Sequence, residues 1–383
     1  MSESASHHVV IVNDDPFQQR VLVNRVQRLA RLQCRAVSSI QALLERPGSL
    51  PLVVIVDVDL GRFGNGYEHC QQLAALPNLC GVVVYSACCD DIAHSVHNLF
   101  QSAGILNVCN LSKQLPVSSL LERIANLTGK PRVVRHHPVS SDKAEPQQQS
   151  TLSLYQPQYS ADGTLTSFEV LARFLGPKGE VLMPDRVIPK LVAIGQITPF
   201  TYHFIGQSLA EVSRLTDQQP MLSFNIDYSS LENKTFAKRI IDIIRGQDYP
   251  CGRITLEVTE TGFSRSDITY QNLISLRLAG VNISIDDFDL SQATVNEFLE
   301  FPFNEVKFDK SMLKRASEEN KVRELMLHFC QTCQRLGTRV VFEGIEKEQD
   351  RTMALSLGAN RLQGYWYQRP MPVEQAIELV NIN

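Results

Sequence analysis

The first third of the chain alternates short apolar runs with segments of helical periodicity. Continuous apolar runs of this kind are typical of parallel strands covered on both faces. The intervening segments, such as Phe17–Leu29 and Asp91–Ala103, have the spacing of amphipathic helices. Residues 1–128 are therefore predicted to form a doubly wound α/β domain with a parallel sheet. Its predicted strands include His8–Val12, Leu52–Val56, Gly81–Tyr85 and Asn107–Leu111.

A polar stretch follows this domain. From Lys130 to Ser150 the composition shifts to Pro, His, Ser, Gln and charged residues. Such a stretch lacks the apolar positions of a packed element and is typical of a linker. We predict a linker over residues 129–150.

Strand candidates recur through residues 151–383, with helical segments between them. Eight strands in a segment of this length match the size and rhythm of a TIM-like (β/α)₈ barrel. The chain is therefore predicted to be an α/β protein of two domains. The eight candidates are Leu152–Gln156, Phe168–Arg173, Met221–Asn225, Ile254–Val258, Asn282–Asp286, Glu305–Asp309, Arg339–Glu343 and Arg361–Gln363.

Composition and charge narrow the function classes. The net charge of −4 disfavours a protein that holds nucleic acid through a basic face. No apolar run reaches the roughly 18 residues of a membrane span, and Met1–His8 lacks the apolar core of a signal peptide. Nine scattered cysteines predict reduced thiols, and the Cys330-x-x-Cys333 pair falls within a predicted helix. We expect a cytoplasmic protein with no membrane insertion.

Polar residues stand where the N-terminal strands end. Asp14 and Asp15 follow the first strand, Asp57 the third, Ser86 the fourth and Lys113 the fifth. In an open parallel sheet these ends form one edge, where ligands bind. Acidic side chains there can hold Mg²⁺, and Lys with a hydroxyl can stabilise a phosphoryl group on a carboxylate. The alternative is that the acids only cap helices.

These segments resemble the response-regulator receiver family. The resemblance implies a flavodoxin-like fold and phosphorylation of Asp57 by a sensor histidine kinase. It also implies one Mg²⁺ bound by Asp14 and Asp57, with Ser86 and Lys113 as the switch pair. Asn13 replaces the family's first Asp, which predicts a less negative metal site. The matching segments are Ile11–Pro16, Val54–Gly61, Tyr85–Ala87 and Leu111–Lys113.

Acidic residues also stand at the predicted barrel strands. Side chains two residues apart share one face of a strand, so Glu169 and Arg173 face the same way. Carboxylates gathered at the mouth of a barrel can bind two Mg²⁺ or Mn²⁺ ions, which suit phosphodiester cleavage when about 3.5–4 Å apart. The alternative is a set of internal salt bridges. The polar positions are Glu169, Asn225, Glu257, Asp286, Asp287, Lys307, Asp309 and Glu343.

The same positions resemble the EAL family of cyclic di-GMP phosphodiesterases. The matching segments are YQP (Tyr155–Pro157), EVLAR (Glu169–Arg173), FNID (Phe224–Asp227), LEVTE (Leu256–Glu260), IDDF (Ile285–Phe288), VKFDKS (Val306–Ser311), FEGIE (Phe342–Glu346) and QGYWY (Gln363–Tyr367). The resemblance implies hydrolysis of cyclic di-GMP to pGpG with two divalent metals, and a homo-oligomer. It implies metal binding by Glu169, Asn225, Glu257, Asp286 and Asp287; water activation by Lys307 and Glu343; substrate contacts by Gln156, Arg173 and Gln363; and support from Glu260, Asp309 and Glu346.

One loop departs from the family pattern. After Phe288 the family continues Gly-Thr-Gly-Tyr-Ser-Ser-Leu, whereas this chain has Asp289–Val295, with no glycine. Because glycine supplies positive φ at no steric cost, we predict a different loop path that holds Asp287 less well.

Three hypotheses remain open from the sequence. The intact acidic positions favour an active phosphodiesterase under receiver control. The altered loop favours a sensor that binds cyclic di-GMP without cleaving it. The third is a protein-interaction output that does not use the nucleotide. Synthesis of cyclic di-GMP is disfavoured because the chain has no GG[DE]EF-type segment, and no region is left for a DNA-binding domain.

Overall fold

The computed structural model describes residues 8–30, 32–58, 67, 69–87, 90–105, 107–115, 117–127, 151–176, 180–259 and 266–382. The chain divides into two compact units, Met1–Ser141 and Asp142–Asn383. The domain limits 1–128 and 151–383 stay predictions, and the predicted linker lies outside the described residues. None of the helices in these ranges is long and apolar enough to span a membrane.

The N-terminal unit has a five-stranded parallel sheet in the order β2-β1-β3-β4-β5. This order is that of flavodoxin-like folds, so the predicted doubly wound fold is confirmed. The second strand was counted in the prediction but not located, because its sequence QCRAV mixes polar and apolar residues at a sheet edge. The elements are β1 His8–Val12, α1 Pro16–Ala30, β2 Gln33–Val37, α2 Ile40–Glu45, β3 Leu52–Val56, α3 Cys70–Ala74, β4 Leu79–Ser86, α4 Asp90–Ser102, β5 Val108–Ser112 and α5 Val117–Leu127.

The C-terminal unit closes eight strands into a barrel, and all eight had been predicted. The order is β6-β14-β13-β12-β11-β10-β9-β7, closed by the pairing of β6 with β7. The elements are β6 Thr151–Ser160, β7 Leu165–Leu175, β8 Val181–Leu182, α6 Pro184–Ala193, α7 Ile197–Leu215, β9 Met221–Ile226, α8 Phe236–Gly246, β10 Ile254–Thr259, α9 Asp267–Leu278, β11 Asn282–Asp286, α10 Gln292–Glu300, β12 Glu305–Phe308, α11 Lys310–Glu318, α12 Asn320–Leu336, β13 Arg339–Phe342, α13 Glu348–Leu357, β14 Arg361–Leu362 and α14 Val373–Ile382.

The barrel differs from a regular (β/α)₈ barrel in its first strand. β6 is antiparallel to both of its neighbours, β7 and β14. The reason is the short turn between Ser160 and Leu165, in which Gly163 has positive φ and Asp162 accepts a hydrogen bond from the amide of Thr164. A turn this short can join only antiparallel strands.

Apolar side chains on the outer face of the barrel pack against the helices, whereas polar side chains fill much of its interior. Phe168, Phe224 and Leu256 are fully buried on the outer face. Cys330 and Cys333 are buried free thiols of α12, as expected for structural residues. The strand–helix core leaves the barrel interior free to carry the polar residues of the site.

Candidate active site

The register of the parallel strands brings the predicted residues together at one end of the barrel. Glu257 lies opposite Asn225 of β9, and Asp286 lies opposite the end of β10. Because the C-terminal ends of parallel strands form one mouth, these side chains converge there. Glu343 and Gln363 directly follow β13 and β14 and complete the ring.

The fully buried ammonium of Lys307 lies at the centre of this ring. Its Nζ is 2.5 Å from Glu257 Oε2, 3.5 Å from Asp286 Oδ1 and 3.7 Å from Glu169 Oε2. It also contacts Glu343 Oε1. Lys307 is thus the shared partner of four carboxylates.

Burial and mutual repulsion shift the pKa values of the ring. Burial opposes the charged form of Lys307, but the surrounding carboxylates outweigh it and hold the lysine pKa well above its usual range. Burial and neighbouring carboxylates raise the pKa of Glu257, and burial above all raises the pKa of Glu343 to about 8. The ring therefore holds more carboxylate than one ammonium can neutralise.

Glu169 behaves differently from the other carboxylates. Burial would raise its pKa, but the Lys307 charge and hydrogen bonds from Gln363 and Asn225 lower it below the usual value. Gln363 Nε2 donates to Glu169 Oε2 at 2.6 Å, and Asn225 Nδ2 donates to Oε1 at 2.6 Å. Glu169 is therefore held as a carboxylate in a fixed orientation.

The donor set of the ring fits hard cations. Four carboxylates and one ammonium carry a net charge of −3 (1 − 4) when all five are ionised. Glu257 Oε1 is buried and has no hydrogen-bond partner within the described ranges. Among the described residues, no three His, Cys, Asp or Glu side chains already form a metal-ligand group. Excess negative charge and an unpartnered carboxylate oxygen both suit a divalent cation.

The predicted substrate-contacting residues lie around this ring. Gln156 is buried, and its Oε1 accepts from Gln363 Nε2 at 3.1 Å. The half-buried Arg173 donates to the carbonyl of Ala172 and has no carboxylate within 4.0 Å in the described part of the chain. A guanidinium without an acidic partner suits an anionic ligand. Gln158 and Ser167 belong to the same polar network but had not been predicted as site residues. Each lies two residues from a predicted site residue, Gln156 or Glu169, so the sequence does place them on the same strand faces.

A sequence model of the EAL domain matches residues 143–370. The chain belongs to the EAL domain family. It is 24% identical to the cyclic di-GMP phosphodiesterase RocR of Pseudomonas aeruginosa, over 97% of this chain and 98% of RocR. It is 28% identical to the oxygen sensor protein DosP of Escherichia coli, over 58% of this chain and only 28% of DosP.

Solved structures share the fold of the EAL domain. The EAL enzyme Bd1971, bound to cAMP and cyclic di-GMP, superposes with a TM-score of 0.56 at 24% identity, over 60% of this chain and 64% of that one. BlrP1 of Klebsiella pneumoniae, in a complex with manganese and cyclic di-GMP, gives a TM-score of 0.52 at 22% identity, over 60% and 58% of the two chains.

The loop after β11 in this EAL domain has its own stabilising contacts. Asp289 Oδ1 accepts from the amide of Ser291 at 2.8 Å and from Thr294 Oγ1 at 3.0 Å, and Ser291 caps α10. Asp287 and Leu290 have positive φ, 54° and 62°. The left-handed geometry that glycine adopts easily therefore falls on two L-residues. Weaker holding of Asp287 stays a prediction.

Leu290→Gly is expected to raise the free energy of unfolding by up to about 1 kcal/mol. A left-handed L-residue costs roughly 1–2 kcal/mol, and the greater freedom of glycine in the unfolded chain cancels part of this gain. Urea unfolding measures the change. The control Leu325→Gly removes the same type of side chain from an exposed position in the middle of α12 and should cost about 1 kcal/mol. A similar loss in both variants would contradict strain at Leu290.

The predicted supporting residues occupy different positions. Asp309 caps α11 by accepting from the amide of Met312. Glu346 forms an exposed ion pair with Lys310 at 2.5 Å. Glu260 lies outside the described residues. The side chain of Asp287 is exposed to solvent at the mouth. Partial desolvation by the surrounding barrel rim, together with the neighbouring Asp286, raises its pKa.

The N-terminal unit brings its predicted site residues to one sheet edge. Val12 and Val56 are in register, so the residues that follow them are neighbours. Asp57 is buried and accepts from Lys113 Nζ at 2.5 Å and from Asn13 Nδ2 at 2.8 Å. Ser86 ends β4 beside Lys113, whose amide donates to the Ser86 carbonyl.

The two acidic residues after β1 differ in role. Asp15 caps α1 by accepting from the amide of Phe17 at 2.7 Å, so the capping alternative holds for Asp15. Asp14 is half-buried at the strand end. Asp14 and Asp57 thus remain as carboxylate donors, a set that fits a Mg²⁺ ion, because Mg²⁺ usually keeps several of its waters.

Proposed function

We propose that this chain hydrolyses cyclic di-GMP to pGpG at the mouth of its EAL barrel. The observation that carries the proposal is the buried ring of carboxylates around Lys307, whose negative charge exceeds what the lysine neutralises. Membership of the EAL family and the whole-length similarity to RocR support the choice of substrate. The divalent cations, Mg²⁺ or Mn²⁺, would be held by Glu169, Asn225, Glu257, Asp286 and Asp287.

Each side chain of the site has its own role in the proposed cleavage of the phosphodiester. When bound, two divalent cations supply charge stabilisation and a water of lowered pKa. Glu343, whose carboxylate contacts Lys307 in the ring, is the proton acceptor for the attacking water. Lys307 stays protonated and orients the water as a hydrogen-bond donor. Arg173, Gln156 and Gln363 bind the dinucleotide.

Glu169→Gln is expected to lower the rate of hydrolysis by about 10³-fold, the order of loss seen when a charge-stabilising group is removed from an active site. Conversion of cyclic di-GMP to pGpG in Mn²⁺ or Mg²⁺ is followed by chromatography. The control Glu318→Gln alters an exposed carboxylate on α11 and should leave the rate unchanged. Tight binding without turnover in the wild type would indicate a sensor, and absence of both would reject a nucleotide function.

We propose further that Asp57 accepts a phosphoryl group from a sensor histidine kinase and that this changes the hydrolysis rate. The support is the buried carboxylate of Asp57 paired with the Lys113 ammonium, the backbone hydrogen bond from Lys113 to Ser86 and the receiver resemblance. Asp14 and Asp57 would hold Mg²⁺, which neutralises phosphate charge.

Acetyl phosphate is expected to label the wild-type chain in Mg²⁺ and to leave Asp57→Asn unlabelled. A phosphate-affinity gel resolves the two species. The control Asp242→Asn, on the exposed side of α8, should be labelled like the wild type. Labelling of Asp57→Asn would place the phosphoryl group elsewhere, and equal hydrolysis rates with and without the phosphoryl group would contradict control by the N-terminal unit.

A further inference from the structure

Four buried side chains form an unbroken line of hydrogen bonds inside the barrel. Ser167 Oγ donates to Gln158 Oε1 at 2.6 Å. Gln158 Nε2 donates to Gln363 Oε1 at 2.7 Å, and Gln363 Nε2 donates to Glu169 Oε2 at 2.6 Å. All four residues are more than nine-tenths buried. The line therefore has no competing solvent along it.

The direction of this line is set at its carboxylate end. A carboxylate only accepts hydrogen bonds, so Gln363 must turn its NH₂ group towards Glu169. Its carbonyl oxygen then faces Gln158, which must in turn present its own NH₂ group. The carbonyl oxygen of Gln158 faces Ser167, whose hydroxyl must donate. Each carboxamide has one orientation in which every buried polar atom of the line is satisfied.

The backbone holds both ends of the line in place. Gln158 lies directly opposite Ser167 in the β6–β7 hairpin, as Gln156 lies opposite Glu169. The amide of Gln363 donates to the Phe342 carbonyl, and its own carbonyl accepts from Ile345. Since neither backbone segment is free to move, the side-chain orientations depend on the hydrogen bonds between them.

We propose that Gln158 is a positioning residue for the proposed catalytic site. It fixes the carboxamide of Gln363, and through it the orientation of Glu169. Without the Gln158 donor, the buried carbonyl oxygen of Gln363 loses its partner. The Gln363 carboxamide is then held only through its NH₂ group, by Glu169 and Gln156. Gln158 lies between the YQP and EVLAR segments and outside both of them.

The inference rests on the proposed function, because it assigns Glu169 to a divalent cation and Gln363 to the dinucleotide. Partners that orient a metal ligand typically account for 10–100-fold in metal affinity or activity. A residue that only fills buried volume would alter the free energy of unfolding and leave the Mn²⁺ affinity of the folded protein unchanged.

Gln158→Met keeps the length of the side chain but removes both hydrogen bonds, and Ser167→Ala removes only the donor at the far end. The control Gln207→Met removes a comparable hydrogen bond, from Gln207 to Glu211 at 2.8 Å, on the outer helix α7. Mn²⁺ affinity is measured by calorimetry in the full chain carrying Asp57→Asn, so that the N-terminal carboxylate does not contribute. Cyclic di-GMP hydrolysis is measured in Mn²⁺ as kcat and KM.

Gln158→Met is expected to weaken Mn²⁺ binding and lower kcat by about 10-fold or more, Ser167→Ala less so, and Gln207→Met not at all. Ser167→Ala makes the smaller change and keeps the test available if Gln158→Met does not fold. Wild-type Mn²⁺ affinity and kcat in both variants would overturn the inference alone. Absence of Mn²⁺ binding and hydrolysis in the wild type would overturn the proposed function and the inference together.

Discussion

Lys307→Met is expected to lower the free energy of unfolding of the metal-free EAL domain by about 3–5 kcal/mol, the usual cost of removing one partner from a buried ion pair. Lys307 is the ammonium shared by Glu169, Glu257, Asp286 and Glu343. Methionine fills most of the lysine volume, so the loss would come from charge. Urea unfolding followed by circular dichroism measures it.

Two further measurements separate charge from packing. Mn²⁺ should restore part of the lost stability, since a bound cation replaces the missing positive charge. The loss should also grow from pH 5 to pH 9. Glu343 already has a folded-state pKa raised to about 8, so the protonated form stabilises the fold at low pH and this stability is lost as the pH rises through that value.

The control Lys314→Met removes an exposed ion pair and should change stability by less than about 0.5 kcal/mol. An unfolding midpoint equal to that of the wild type would contradict the central role of Lys307.

Gly364→Ala is expected to cost about 3 kcal/mol and most of the hydrolytic activity. A Cβ at residue 364 would lie 2.1 Å from the carbonyl oxygen of Ile345 and 2.3 Å from its nitrogen. The two backbones cannot separate without breaking the hydrogen bonds from Ile345 to Gln363 and from Trp366 to Ile345. Overpacking and lost hydrogen bonds each cost about 1–3 kcal/mol.

The matched control for this substitution is Gly246→Ala. Gly246 ends α8, and a Cβ there would meet no other part of the described chain within 4 Å, apart from its chain neighbours and its own helix backbone. Alanine should therefore be neutral or stabilising by up to about 1 kcal/mol. Unfolding and hydrolysis are measured on both variants. A Gly364→Ala protein as stable and active as the control would show that the close approach to Ile345 is not required.

The sequence predicted the location of the candidate site where acidic residues directly follow or end an apolar strand. Glu257 and Asp286 could be placed at one end of a barrel because apolar runs mark the strands and parallel strands end together. The central position of Lys307 could not be predicted, because strand periodicity gives the face of a residue but not the direction of its ammonium. Only the register and depth of the strands determine which carboxylates a long side chain reaches.

Other features were missed for identifiable reasons. The antiparallel direction of β6 follows from the short turn at Gly163. The sequence shows this turn, but the regular spacing of the eight strand candidates led to the prediction of a regular barrel. The role of Asn13 as a donor to Asp57 depends on amide orientation, which no pattern encodes. Gln158 has no charge and lies outside the matched family segments, so nothing but alternation with Gln156 marked it as an interior residue.

The antiparallel first strand also determines the side from which the polypeptide enters the EAL barrel. Thr151 pairs with Phe174 and Leu152 with Arg173, near the C-terminal end of β7. In a barrel with all strands parallel, the first strand would begin at the face opposite the active site. Here it begins at the rim that carries Arg173. A displacement of the backbone at Thr151 would therefore reach Arg173, the proposed phosphate-binding residue, within two residues and without crossing the barrel.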